Sequence, residues 1–254
     1  MEAGKLSIVA TPIGNLEDIS LRAIRILGEV DFVLCEDTRV TSKLLKHYEI
    51  KTKTISYHQH SGEAKVNKIL ELLDSGKNLA LVSDAGTPGI SDPGGKLVAA
   101  AIEKLGDMIS IESVPGPSAV TAALSITGIP TDKFVFMGFP PHKKGRQTFI
   151  ERIGDSIYPV VVYESKHRII KFLEELERLN EEIEKHNEEA EAFNMKVVTK
   201  DRKEKKSPVT SVVVCRELSK MHETVYRGAL ADTIEKIKSS AGDQKGEFVI
   251  VIGK

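Results

Sequence analysis

Tryptophan is absent from the 254 residues, and cysteine occurs only twice. Cys35 in "DFVLCED" and Cys215 in "SVVVCREL" lie in strand-like runs, where a thiol packs as a small hydrophobe. Neither has a C-x-x-C partner, which argues against metal binding or redox work and fits a reducing, cytoplasmic setting. No apolar run reaches the roughly 18–20 residues of a membrane span. The opening "MEAGKLSIVA" lacks the basic region and long apolar stretch of a signal peptide. A net charge of −1 excludes a whole-molecule electrostatic nucleic-acid binder, so any basic surface is local. No G-x-G-x-x-G follows the first apolar run and no G-K-[ST] occurs, which removes support from Rossmann and P-loop readings.

Hydrophobic residues at 41% and charged residues at 29% describe a globular protein with a sizeable core in one large or two ordinary domains. The first half alternates short apolar runs with helical patterns. Strands are expected at 5–10, 31–36, 52–58, 78–84 and 108–114, and helices at 17–30, 39–48, 64–76, 94–105 and 117–126. This β-α rhythm predicts an α/β domain over 1–128 with a mostly parallel sheet and helices on both faces. A loop rich in Gly and Pro, flanking one strand at "KFVFMGF", breaks the rhythm. Beyond it, strands at 158–164, 210–218, 223–228 and 246–253 predict a second α/β domain over 129–254 with a mixed sheet.

One segment stands apart. Residues 174–191 carry nine Glu against Arg178 and Lys185, and residues 196–206 carry six basic residues against Asp201 and Glu204. A helical stripe through Leu173, Leu176, Leu179 and Ile183 then fades. The insertion at about 177–206 reads as a solvated helical extension with a charged loop, or as an interaction arm whose basic half touches phosphate.

The chemistry is expected at strand ends. "ATPIGN", "CEDTR", "YHQHS", "SDAGTPGISDPGG" and "VPGPSA" follow the first five strands in turn, and ligands of open α/β sheets bind beyond the carboxyl ends of the strands. Residues 81–95 alone hold four glycines and two prolines. Glycine allows positive φ or close backbone approach, so the loop either wraps a ligand or turns a corner.

These motifs, with "GFPP", "YES.HR", "CREL.K.HE" and "RG", resemble the tetrapyrrole-methylase-type (class III) S-adenosylmethionine methyltransferases. Within them they are similar to the small-subunit ribosomal RNA branch, which 2′-O-methylates a cytidine of the decoding region. The resemblance covers nearly the whole chain and implies S-adenosylmethionine as cofactor in a cleft between the two domains. It places Pro12, Ala85, Gly86, Thr87, Ile90, Ser118 and Ala119 against the cofactor, with Tyr163, Glu164 and Leu218 from the second domain. A turn or a helix cap is the plainer role for any one of these.

For the ribose proton the chain offers Glu36, Asp37, Arg39, His58 and His60 at neighbouring strand ends, and Lys143 and Arg146 across the boundary. Glu36 and Asp37 either include a base or hold Arg39. His58 is a base, a hydroxyl-orienting group or a hydrogen-bonded loop histidine. Lys143, Lys144, Arg146 and Arg168 are expected phosphate contacts to the RNA or, for the loop residues, part of a solvated turn. No metal site is expected. The resemblance, and the wide surface a large RNA requires, imply a homodimer acting on the small ribosomal subunit. The rivals are a tetrapyrrole methyltransferase on the same scaffold and a non-catalytic RNA-binding module.

Overall fold

The computed structural model describes residues 3–92, 94–196, 202–240 and 242–254. Pro93 of the glycine-rich loop and residues 197–201 of the basic run lie outside the described residues. The chain divides into two compact units, Met1–Ala119 and Val120–Lys254. The sequence reading drew its boundary after residue 128; the difference is the helix that opens the second unit.

In the first unit, strands β1 (Lys5–Val9), β2 (Phe32–Cys35), β3 (Lys53–Ser56), β4 (Leu79–Leu81) and β5 (Ser110–Val114) alternate with helices α1 (Leu21–Glu29), α2 (Thr38–His47), α3 (Glu63–Asp74) and α4 (Gly94–Leu105). All five strands are parallel, in the order β3-β2-β4-β1-β5. The period of two along each strand feeds two cores. Val9, Val33, Cys35 and Ala80 pack with α1 and α2, while Leu6, Leu34, Leu79 and Leu81 pack with α3 and α4. Both cysteines are buried and free. Connections after β1 and β2 therefore cover one face, and those after β3 and β4 the other. The chain leaves β2 toward one edge and the adjacent β4 toward the other, so their connections diverge and open a crevice at the carboxyl ends.

The second unit carries β6 (Val135–Gly138), β7 (Val160–Ser165), β8 (Ser211–Arg216), β9 (Thr224–Gly228) and β10 (Glu247–Gly253) in the order β6-β7-β10-β8-β9. Only β6 and β7 run parallel, so the sheet is mixed as expected. Helix α5 (Ala119–Thr127) bridges the division between the units, and α6 (Arg146–Asp155), α7 (Ile169–Asn194) and α8 (Leu230–Ser239) follow. Ile150, Ile153, Phe172, Leu173, Leu176, Ile234 and Ile237 from the last three helices pack on Val160, Val162, Val212, Val214, Ile250 and Ile252.

One helix differs from the sequence reading. α6 was not expected, because its apolar positions Phe149, Ile150 and Ile153 are few and follow directly on the Gly/Pro loop. Gly145, at φ +84°, turns the chain into it. α7 runs for 26 residues, past the point where its apolar stripe fades, in line with the helical extension expected there. Among the described residues no helix is long and apolar enough to cross a membrane.

Candidate active site

Three strand-end loops of the first unit are tied to one another through their backbones. Thr11, just past β1, and Gly86, past β4, exchange two hydrogen bonds: Thr11 N donates to Gly86 O (2.9 Å) and Gly86 N to Thr11 O (3.0 Å). Thr11 Oγ1 donates to Ser83 O at 3.1 Å. The Thr87 hydroxyl donates to Pro117 O at 3.1 Å, which brings in the loop after β5. This geometry requires φ +82° at Gly86. A β-carbon there is strained whatever space surrounds it. Asp92 closes the same loop, its Oδ1 accepting from Gly89 N (2.6 Å) and Gly94 N (2.8 Å), the latter at the start of α4.

Pro12, Ala85, Gly86, Thr87, Ser118 and Ala119 are thereby gathered on one corner of the sheet end. Pro12 and Gly86 are buried, Thr87, Ser118 and Ala119 half-buried, and Ile90 projects with 48% of its surface exposed. The loop after β2 joins this corner where Asp37 N donates to Asp84 Oδ1 at 3.1 Å.

The electrostatics separate residues that the sequence left equivalent. Asp37 caps α2 and grips Arg39, which donates to it from Nε and Nη2 (2.7 Å for the latter). These bonds hold its carboxyl down to about 2. Glu36 makes no ion pair among the described residues. Burial pushes its carboxyl up, and the nearby Asp84 and Asp92 push it further. Asp37 therefore holds Arg39, and Glu36 is the one of the two that has no ion pair among the described residues. His58 is exposed, and its Nδ1 accepts from the backbone N of His60 at 3.2 Å. In the neutral ring this leaves the proton on Nε2, so His58 offers a donor to its surroundings in place of a basic lone pair. Asp84 and Asp92 were not singled out beforehand. Their place in "SDAGTPGISDPGG", flanking the glycines, was the available signal.

In the second unit the period of two separates two of the expected contacts. Tyr163 and Glu164 are adjacent on β7 and point to opposite faces. Tyr163 packs edge-on to Phe136 (centroids 5.0 Å) and beside the exposed Phe139 (5.3 Å), and burial pushes its hydroxyl up. The Glu164 side chain is fully buried on the helix side. Its Oε1 accepts from Ser165 N at 2.6 Å and pairs with Arg168 at 2.8 Å, so its carboxylate is engaged within the unit. Arg146 and Arg168, expected as phosphate contacts, are both engaged by carboxylates of this unit. Arg146, with 8% of its side chain exposed, pairs with Glu175 at 2.7 Å and lies 3.6 Å from Glu164. A guanidinium so enclosed by two carboxylates is not available to phosphate.

The two arginines instead clamp the loop between β6 and α6. Arg168 Nη1 donates to Pro140 O (2.8 Å) and Arg146 Nη1 to Pro141 O (3.2 Å). Lys143 and Lys144, the next cations along, stay exposed. Leu218 is buried in a turn between Glu217 and Ser219, both at left-handed φ. Among the described residues no group of three or more His, Cys, Asp or Glu could hold a metal ion.

Residues 5–234 match the model of the Tetrapyrrole (Corrin/Porphyrin) Methylases. The chain belongs to this family. Two relatives named ribosomal RNA small subunit methyltransferase I are similar over almost their whole length. One, from Hydrogenobaculum sp. (strain Y04AAS1), is 41% identical over 98% of this chain and 96% of its own. The other, from Thermotoga maritima, is 37% identical over 98% of both. Solved structures share the fold: a diphthine synthase (TM-score 0.67, 14% identity, 99% of this chain and 90% of that one) and a cobalt precorrin-4 methyltransferase (0.62, 18%, 98% and 94%).

Within this methylase fold the buried charges make a direct prediction. Arg146→Ala removes the partner of two enclosed carboxylates and should cost about 3–5 kcal/mol. Lys143→Ala, on an exposed site, should stay within about 0.5 kcal/mol of wild type. Urea unfolding of the two variants checks this, and equal stabilities would contradict the clamp.

Proposed function

We propose that the chain is an S-adenosylmethionine-dependent methyltransferase that methylates the ribose 2′-hydroxyl of a cytidine in the decoding region of small-subunit ribosomal RNA. The observation that carries it is the strand-end corner, where a left-handed glycine loop lies beside the carboxylates Glu36, Asp84 and Asp92, which have no ion pair among the described residues. The cofactor is a cation, and the chemistry of this corner fits it: Gly86, without a β-carbon, lets a ligand come close to the main chain beside the exposed Ala85, and Asp84 and Asp92 supply negative charge. The relatives' names support small-subunit ribosomal RNA as the substrate class.

When bound, the cofactor supplies an electrophilic methyl group. The chain's own task is alignment and the handling of one proton. Pro12, Ala85, Gly86, Thr87, Ile90, Ser118 and Ala119 are the proposed cofactor contacts of the first unit, and Tyr163 and Leu218 those of the second. Lys143 and Lys144 bind phosphate and position the ribose, which is the main requirement of an in-line displacement. A protonated 2′-hydroxyl is a poor nucleophile, and Glu36, held nearer to neutrality than an ordinary carboxylate, accepts its proton. His58 orients the hydroxyl through its Nε2 proton. The exposed Lys143 and Lys144 favour RNA over a tetrapyrrole polyacid bound in an apolar, arginine-rich pocket. The working form is a homodimer.

Mapping ribosomal RNA methylation by mass in cells with and without the chain should reveal one missing 2′-O-methyl cytidine. Light scattering should give about twice the 27.9 kDa of one chain. An unchanged RNA would sink the substrate assignment.

Gly86→Val should stay folded yet lose S-adenosylmethionine binding by calorimetry, because a branched side chain resists φ +82° and distorts the Thr11–Gly86 pairing. Normal binding would move the cofactor elsewhere.

The Glu36 prediction has a definite sign. The active form is the carboxylate and its pKa is raised, so the rate should climb with pH through a range above that of ordinary carboxylates and then level off. Glu36→Gln should lose about 10²–10⁴-fold in rate at saturating RNA, with cofactor affinity kept. His58→Ala should lose far less. A wild-type rate in Glu36→Gln removes it from the mechanism.

A further inference from the structure

Asparagine recurs every seventh residue along the second half of α7, at Asn180, Asn187 and Asn194. Seven residues make close to two helical turns, so the three carboxamides stand in one row. A neighbouring row of the same spacing, Ile169, Leu176, Ile183 and Ala190, is buried throughout. The apolar stripe does not simply fade after Ile183. Its neighbouring row changes from Leu173 to asparagine where α7 passes beyond the core of the sheet.

The asparagines hold a strap, residues 202–209, by its backbone. Asn194 accepts from Lys203 N (2.8 Å) and donates to Lys203 O (2.9 Å). Asn187 does the same for Lys206, accepting at 2.8 Å and donating at 2.9 Å. Asn180 accepts from Val209 N at 2.9 Å. The bonded strap residues are three apart. Three residues of extended chain advance about 9–10 Å and seven helical residues about 10.5 Å, so the two repeats run nearly in step.

Docking through backbone groups is indifferent to side-chain identity, yet this strap reads Arg202, Lys203, Glu204, Lys205, Lys206, all exposed. Lys205 pairs with Glu191 (2.8 Å) and Lys206 with Asp155 (2.9 Å), each between side chains about half exposed. Lys203 lies over the Phe193 ring at 5.0 Å. Exposed ion pairs of this kind contribute little and exchange readily for other anions. The fold therefore does not account for four cations in five residues.

We infer that the strap is a second phosphate-binding surface for RNA, displayed in fixed register by the asparagine row of α7. This rests on the RNA reading above and adds a site to it. The nine glutamates of residues 174–191 oppose a polyanion on the rest of the helix, so the strap sets the line along which RNA approaches.

The test uses the full chain and a transcript of small-subunit ribosomal RNA, with affinity measured across a series of KCl concentrations. Changing Arg202, Lys203, Lys205 and Lys206 together to Gln should weaken binding at least tenfold at low salt. The slope of log affinity on log salt should shrink by about 2–3, at about 0.7 per lost contact to a single strand. Amide exchange should still show protection at Lys203, Lys206 and Val209, because the row binds backbone. Asn187→Ala with Asn194→Ala keeps the charges; it should lose that protection at Lys203 and Lys206 and weaken binding severalfold, with the slope nearly kept. Wild-type affinity and slope in the strap variant would overturn the proposal. If Lys143→Ala with Lys144→Ala still loses binding in that case, the RNA reading stands and the strap alone falls. A wild-type chain that fails to bind the transcript removes both.

Discussion

Loops leaving neighbouring parallel strands must pair their backbone groups somewhere, and in the first unit they pair with each other. The exchange between Thr11 and Gly86 is the smallest possible antiparallel bridge, built at the ends of β1 and β4. It is possible only because residue 86 accepts a left-handed backbone. Once formed, it sets the reach of Thr87 to Pro117, and the short arc to Asp92 returns the chain to the start of α4. The opposed directions in which β2 and β4 hand off their helices then decide that this corner borders a crevice. The carboxylates follow from the same geometry. Glu36 and Asp84 follow adjacent strands, so their mutual repulsion is a product of topology.

The second unit depends on a different constraint, the cost of an enclosed charge. Glu164 has no exposed side-chain surface, and such a group is tolerated only with cations and hydrogen bonds around it. Arg146 and Arg168 meet that need and have donors to spare, which go to the carbonyls of Pro140 and Pro141. Proline has no N–H with which to anchor such a loop, so its carbonyls are the handle that remains. A buried carboxylate thus fixes the loop that carries Lys143 and Lys144.

Much of the layout could be read from the residues. Short apolar runs such as "FVLC" and "LAL" announce strands covered on both faces, and the alternation of patterns announces parallel pairing. The order β3-β2-β4-β1-β5 could not be read, because the same alternation serves several orders. Side-chain direction at the motifs was equally hidden. "YES.HR" marks Tyr163, Glu164 and Arg168 together, whereas the pleat of β7 sends the first two to opposite faces. Glu175 escaped notice because one more carboxylate in a glutamate-rich helix carries no signal. Asp37 and Glu36 looked interchangeable until the turn into α2 placed Arg39 against only one of them.

The cations divide by chemistry as well as by place. Arg146, Arg168 and Arg216 lie inside, each pairing with a carboxylate and donating to backbone carbonyls. The planar fork of a guanidinium can serve several acceptors at once, which suits it to enclosed junctions. Lysine, with a strongly hydrated point charge, is left to the surface at Lys143, Lys144, Lys203, Lys205 and Lys206. Arginines so enclosed are little screened by salt, whereas the exposed lysines are screened fully. The fold can therefore keep its loops fixed at ionic strengths where its hold on a polyanion is already weakening. On the proposed reading, affinity for RNA and integrity of the site are set by separate groups of residues, and one can change without the other.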